Sequence, residues 1–250
     1  MEVVTEISGR RATIALNRPA KLNALDVPLV TALEDQARRV AADPEVDLVV
    51  VAGNGRSFCA GLDLDMFAAE GMSLEFYRRQ EAGFRVLETM GKTVIAALHG
   101  HCLGGGVQLA AACDIRVASS DADLGLPAID EGLFPGMAPY RLPRLIGKGR
   151  AASLILTGRR VAAEEAYSIG LVDHVLDANR FEEQFAALVD TYARAPRTAA
   201  AASKRLLARS YEAAFDDVLA ESEVLLETCL ASAEVKRARE AWTRRRTTRR

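Results

Sequence analysis

Three consecutive glycines, Gly104, Gly105 and Gly106, stand between an apolar segment that ends at Leu98 and a second apolar run, Val107, Leu109, Ala110 and Ala111. Glycines that open a helix leave backbone N–H groups uncovered, and the helix dipole adds partial positive charge, so this segment offers what an anion or a developing oxyanion needs. Taken alone, the triplet also fits a tight turn that requires positive φ. It lacks the Lys and Ser/Thr of a P-loop and does not have G-x-G-x-x-G spacing. A second glycine-containing loop, Asn54 to Leu64, likewise follows an apolar segment and leads into a helix. Loops leaving neighbouring parallel strands at their carboxyl edge, where ligands bind in such sheets, can each aim one N–H at a shared oxygen.

The titratable groups near these loops are few. Asp63 reads as a loop-fixing acceptor of backbone N–H bonds. Asp130 and Glu131 read either as solvated turn residues before Gly132 or as an acid/base brought in by a loop shift. His99 and His101 bracket Gly100 and fit turn histidines bonded to backbone. Tyr140, shortly after Pro135-Gly136, is a phenol available to a pocket. Cys59, Cys102, Cys113 and Cys229 lie far apart without C-x-x-C spacing, so neither a metal site nor a disulfide framework is expected and a reducing, cytoplasmic setting fits.

Elements that could position these loops are legible around them. Residues 4–16 alternate about Ser8-Gly9 as a hairpin would. Asp26 can cap a helix with Pro28 in its first turn and Val30, Leu33, Ala37 and Val40 on one face. Val46 to Ala52, Thr93 to Leu98 and Ile115 to Ala118 are short, almost wholly apolar runs, as strands covered on both faces are. With a helix over Ser73 to Met90 between the first two, strand and helix alternate in the pattern of an α/β parallel sheet. From Gly149 onward helices dominate, apart from a strand over Leu171 to Leu176. The last helix, about Ala214 to Trp242, has an apolar face suited to a partner subunit or to packing on its own body.

The 250 residues are 50% hydrophobic and 26% charged, enough for a sizeable core and incompatible with disorder. No apolar run reaches the roughly 18 residues a membrane helix needs. Glu2 and Glu6 stand where a signal peptide would place Lys or Arg, so an untargeted, soluble chain without membrane partners is expected. The net charge of −2 hides a basic tail, with eight basic residues and one Glu from Lys236 to Arg250. A solvated terminus explains such a run; contact with phosphates or nucleic acid is the alternative.

The chain resembles the enoyl-CoA hydratase/isomerase (crotonase) superfamily at several ordered places: Asn17-Arg18-Pro19 with Asn23-Ala24-Leu25, Phe58 to Leu64, His99 to Gly106, Cys113 to Arg116, Gly132 to Gly136, and Leu156-Thr157-Gly158 with Ala166 to Val172. The resemblance implies a crotonase-like spiral of ββα units over residues 1–195 and a C-terminal helical trimerisation region over 196–250, in a homotrimer or a dimer of trimers. It also implies an acyl-CoA thioester substrate that carries its own coenzyme A, with no other cofactor. By this alignment the amides of Ala60 and Gly105 hold the thioester oxygen. The loop from Ala60 through Gly61, Leu62, Asp63 and Leu64 contacts the CoA, with Lys21 and Ala24 close by, and Gly104 and Tyr140 complete the substrate surface.

Family hydratases hold water between two glutamates. Those positions are Gln108 and Ala128 here. A Gln binds water but cannot take its proton, and Ala can do neither, so paired-carboxylate hydration is disfavoured. Family isomerases keep the second glutamate or place an aspartate where Gly136 stands. The expectation is therefore an enzyme that stabilises a thioester enolate with at most one acid/base, Glu131 or Asp130, in isomerisation, decarboxylation or hydrolysis. The rival expectation is a non-catalytic CoA-binding homologue, or one whose Arg-rich tail binds RNA. The tail has only Trp242 interleaved, which speaks for phosphate attraction and against base reading.

Overall fold

The computed structural model describes residues 1–248, with side chains through Arg244. The end of the basic tail, Arg249 and Arg250, lies outside the described residues.

The strands are β1 (Val3–Ser8), β2 (Arg11–Leu16), β3 (Leu48–Gly53), β4 (Thr93–Leu98), β5 (His101–Leu103), β6 (Ile115–Ser119), β7 (Asp123–Gly125), β8 (Arg160–Ala162) and β9 (His174–Leu176). The helices are α1 (Val27–Ala42), α2 (Leu64–Glu70), α3 (Leu74–Thr89), α4 (Gly105–Ala111), α5 (Ala138–Ile146), α6 (Lys148–Thr157), α7 (Ala163–Ser168), α8 (Phe181–Ala193), α9 (Arg197–Arg209), α10 (Phe215–Ala231) and α11 (Ala233–Thr248).

One six-stranded sheet runs in the order β1-β2-β3-β4-β6-β9, parallel except for the β1–β2 hairpin. The apolar strands are covered on both faces, as their composition requires. Val49 and Val51 of β3 and Val94, Ala96 and Leu98 of β4 point into the main core with Leu33 and Phe84. The alternating residues Leu48, Val50, Ile95 and Ala97 pack instead beneath α8 against Val189 and Phe185. Asp26 caps α1 by accepting from the Leu29 amide at 2.9 Å.

A second sheet, β5-β7-β8, branches off where β4 ends. Its short strands carry no apolar run long enough to register in the sequence. The branch is enforced at Gly100, which has φ +54°, because a Cβ there would lie 2.1 Å from the Arg56 carbonyl oxygen. The expected strand over Leu171 to Leu176 is confined to β9, Leu171 and Val172 being buried in the core ahead of it.

The expected single C-terminal helix over Ala214 to Trp242 is corrected: it breaks at Ser232, whose backbone is extended at φ −70°, ψ 150°. The Ser232 hydroxyl accepts from the Val235 amide at 3.2 Å and so starts α11. The signal was an ordinary N-cap serine inside an otherwise continuous helical pattern.

Candidate active site

The two glycine loops are laced to each other by backbone bonds. Phe58 N–H donates to His99 O at 2.8 Å, Cys59 N–H to His101 O at 3.0 Å, and Leu103 N–H to Cys59 O at 2.9 Å. The approach is too close for side chains at the crossing points. A Cβ on Gly106 would lie 2.4 Å from Cys59 O, and one on Gly61, at φ +93°, would lie 2.9 Å from Leu103 O. Gly61 and Gly104 therefore touch backbone to backbone, which sets Leu62 and Gly105, each one residue further on, along one wall of a cavity of about 370 Å³.

The two amides expected to hold the thioester oxygen differ in what they bond within the chain. Gly104 N–H is spent on Gly125 O at 2.8 Å, whereas Gly105, the first residue of α4, has no acceptor for its N–H among the described residues. Ala60 is corrected. Its N–H donates to Leu22 O at 3.0 Å, so it lines the cavity without an amide to offer. The open amide on that loop belongs to Leu62. Leu25 uses Gly61 O at 2.7 Å and Asp63 N–H at 3.0 Å in a parallel bridge, so alternation turns the intervening Leu62 N–H to the opposite edge, toward the cavity.

A network of buried polar groups holds this loop. Asn23, wholly buried at φ 56°, accepts from Arg18 N–H at 2.8 Å and donates to Ser57 O at 2.8 Å and Asn54 O at 3.0 Å. Arg18 reaches Ala24 O at 2.6 Å and both Asp26 and Asp63 at 3.0 Å. Asp63 is the loop-fixing acceptor it was expected to be, capping α2 by accepting from the Asp65 and Met66 amides at 3.1 Å. Burial pushes its pKa up, but the Met66 amide and the Arg18 guanidinium outweigh that and hold the carboxyl below its ordinary range.

Across the cavity, Gln108 is buried with its Oε1 accepting from the Met137 amide at 3.0 Å. Ala128 lines the cavity from the short 3-10 turn Pro127–Glu131, as do Asp130 and Glu131. Asp130 is exposed and Glu131 half-buried, and neither carboxylate has a partner among the described residues. Gly61, Leu62, Leu64 and Gly104 also border the cavity, while Lys21 pairs with Asp65 on the exterior and Ala24 turns its carbonyl to Arg18.

Tyr140 is corrected. Its hydroxyl donates to Glu212 and its ring lies under the Arg144 guanidinium at 3.5 Å, away from the cavity. The phenol present is Tyr77 on α3, edge-on to Phe134 at 6.4 Å, its pKa raised by burial and then by Glu81. Tyr77, Gln80 and Phe134 were missed as site residues; Tyr77 was legible only as part of the apolar face of a helix. His99 bonds to Gly55 O at 2.9 Å as a turn histidine does, whereas His101, expected to bond backbone, pairs instead with the carboxylate of Asp123 across β5 and β7 at 3.2 Å. Cys59, Cys102 and Cys113 are buried core residues, and burial pushes the Cys59 and Cys113 thiols up to about 12.

A spiral of ββα units with two open amides beside an apolar cavity defines a crotonase-like fold. The sequence model described as enoyl-CoA hydratase/isomerase matches residues 6–249. The short-chain-enoyl-CoA hydratase of Clostridium acetobutylicum is 35% identical over 251 residues, covering 98% of this chain and 95% of that protein. The 2,3-dehydroadipyl-CoA hydratase of Escherichia coli is 34% identical over 234 residues, covering 93% and 91%. The crystal structure of enoyl-CoA hydratase from Bacillus anthracis superposes with a TM-score of 0.91 at 29% identity, covering 98% of this chain and 97% of that one. The chain belongs to the enoyl-CoA hydratase/isomerase family.

Among the described residues no helix is long and apolar enough to cross a membrane.

Proposed function

We propose that this protein is an acyl-CoA enzyme that stabilises a thioester enolate, with the substrate carbonyl oxygen held by the amides of Leu62 and Gly105. Preorganised amides aimed at a developing oxyanion are worth roughly 3–4 kcal/mol each. The observation that carries the reading is that these two N–H groups lack acceptors among the described residues and belong to residues that border the same cavity. The CoA would lie across the rim formed by Leu62, Asp63 and Leu64, with Lys21 and Ala24 beside it, and would be the only cofactor needed because the substrate brings it.

The relatives cited above are hydratases by name, but Gln108 and Ala128 give this cavity no carboxylate pair to activate water. Glu131 is the one half-buried, unpartnered carboxylate on the wall and serves as the single proton shuttle, with the exposed Asp130 in a lesser part. One acid/base and an oxyanion hole suffice to move a double bond, to protonate the enolate left when CO2 departs, or to hold the tetrahedral oxyanion of thioester hydrolysis, and these reactions are favoured over hydration.

Assembly as a homotrimer or a dimer of trimers through the C-terminal helices belongs to the same reading. Phe215, Leu226 and Leu230 of α10 are exposed in the single chain, as a surface awaiting another copy would be.

The test is a panel of acyl-CoA thioesters followed by mass spectrometry. Turnover should be seen on at least one and should fall at least a hundredfold in Gly105→Pro, which removes the N–H; because its Cβ would also press on Leu25 at 2.4 Å, Gly105→Ala, which carries the same Cβ and keeps the N–H, is the control and should lose less. CoA binding without turnover on any thioester would make the protein a non-catalytic binder instead.

A further inference from the structure

Gln108 is more than a lost glutamate. The Met137 N–H can only donate, so the Gln108 atom facing it at 3.0 Å is the carbonyl oxygen, and the side-chain NH₂ must point the other way. That NH₂ has no acceptor among the described residues, yet it is not among the side-chain atoms sealed from solvent without a partner. Since Gln108 is only 4% exposed and lines the cavity, the space its Nε2 opens onto is the cavity itself. The orientation is built in by Gly136, at φ +45°, where a Cβ would lie 2.4 Å from Gln108 Oε1. A near-buried amide donor kept open in this way is unfavourable until something accepts from it.

Gly105 and Gln108 are three residues apart on α4 and share a face, about one helical turn from each other. A thioester whose oxygen sits on the Gly105 amide therefore brings its third acyl carbon alongside the Gln108 NH₂. The charged residues on the cavity wall are Asp130, Glu131 and Arg160, and Arg160 is tied to Asp123 at 2.8 Å. The wall is thus unfavourable to a second carboxylate, a neutral acceptor fits best, and decarboxylation of a malonyl-type thioester becomes the least favoured of the reactions proposed above.

We infer that Gln108 is a specificity-determining hydrogen-bond donor that selects acyl thioesters bearing a neutral oxygen on C3, the 3-oxoacyl class. The inference rests on the thioester site proposed above and adds what the acyl group carries.

Titration calorimetry of the full chain with acetoacetyl-CoA, malonyl-CoA and butyryl-CoA tests it. The 3-oxo thioester should bind about tenfold tighter than butyryl-CoA, the yield of one good hydrogen bond. Malonyl-CoA should show no such gain. In Gln108→Met, which keeps the volume and removes the donor, the ratio of acetoacetyl-CoA to butyryl-CoA affinity should collapse toward one. Gly136→Ala, whose added Cβ would press on the Gln108 carbonyl from the same cavity wall, should narrow the ratio independently.

Equal affinities in the parent, a ratio that survives Gln108→Met, or a preference for malonyl-CoA over acetoacetyl-CoA would each overturn the inference while leaving the thioester reading intact. Failure of all three thioesters to bind would remove that reading as well.

Discussion

The amide of Ala60 is bonded to the carbonyl of Leu22 at 3.0 Å, and this one contact decides which residue of the Phe58–Leu64 loop can hold an oxyanion. With Ala60 occupied and the Asp63 amide committed to Leu25, Leu62 is left to supply the second donor. Leu62→Pro should therefore lower kcat by a factor of about 10²–10³, a larger loss than any it causes in CoA affinity. Ala60→Pro should instead lower the melting temperature. A kcat for Leu62→Pro within a factor of three of the parent would show that the oxygen sits elsewhere.

Glu131 and Asp130 can be separated by their isosteric amides. Glu131→Gln should reduce turnover by roughly 10²–10⁴, the span of a lost general acid/base, and Asp130→Asn by no more than a few-fold. Equal losses in both variants would mean that their shared turn, and not a particular carboxylate, matters.

Restoring the missing carboxylates gives a gain-of-function test. The double variant Gln108→Glu with Ala128→Glu should hydrate crotonyl-CoA at least tenfold faster than the parent, because it returns both a base and an acid to the cavity. A parent that already hydrates crotonyl-CoA rapidly would contradict the proposed departure from hydration.

Asp63 links the loop to pH. Its folded pKa lies below the unfolded value of about 3.9. Its contribution is therefore complete above that value and is lost as the pH falls through the lower, folded one. Asp63→Ala should cost about 2 kcal/mol near neutrality, through the α2 cap and the Arg18 pair, and should flatten the acid limb of a melting-temperature profile. An unchanged acid limb would assign acid lability to other groups.

Thiol reactivity checks the packing directly. Cys59, Cys102 and Cys113 are buried with raised pKa values, so native protein should show one fast-reacting thiol of its four, Cys229. Three or four fast thiols would indicate a core looser than the one described.

The parts of this molecule that were legible beforehand are those where one physical requirement dominates a stretch of chain. Val46 to Ala52 had to be a strand with both faces covered, and Asp26 had to start a helix. The motif residues Gly105, Gln108 and Ala128 come together on the cavity wall, and Asp63 caps the helix beside it. What stayed hidden depended on parity and on distant pairing. Ala60 and Leu62 differ by two positions in a loop whose strand-like alternation exists only because Leu25 pairs with it. Tyr140 looked like a cavity residue from its neighbours in sequence, but Glu212, 72 residues away, holds its hydroxyl. The break at Ser232 was invisible because the apolar pattern continues through it.

Because the Gln108 carbonyl occupies the volume a side chain at 136 would need, an aspartate there, of the kind family isomerases use, and the present glutamine are competitors for one small site. An aspartate placed at 136 would push the Gln108 carboxamide off the Met137 amide, so a change at one of these positions re-aims the side chain at the other.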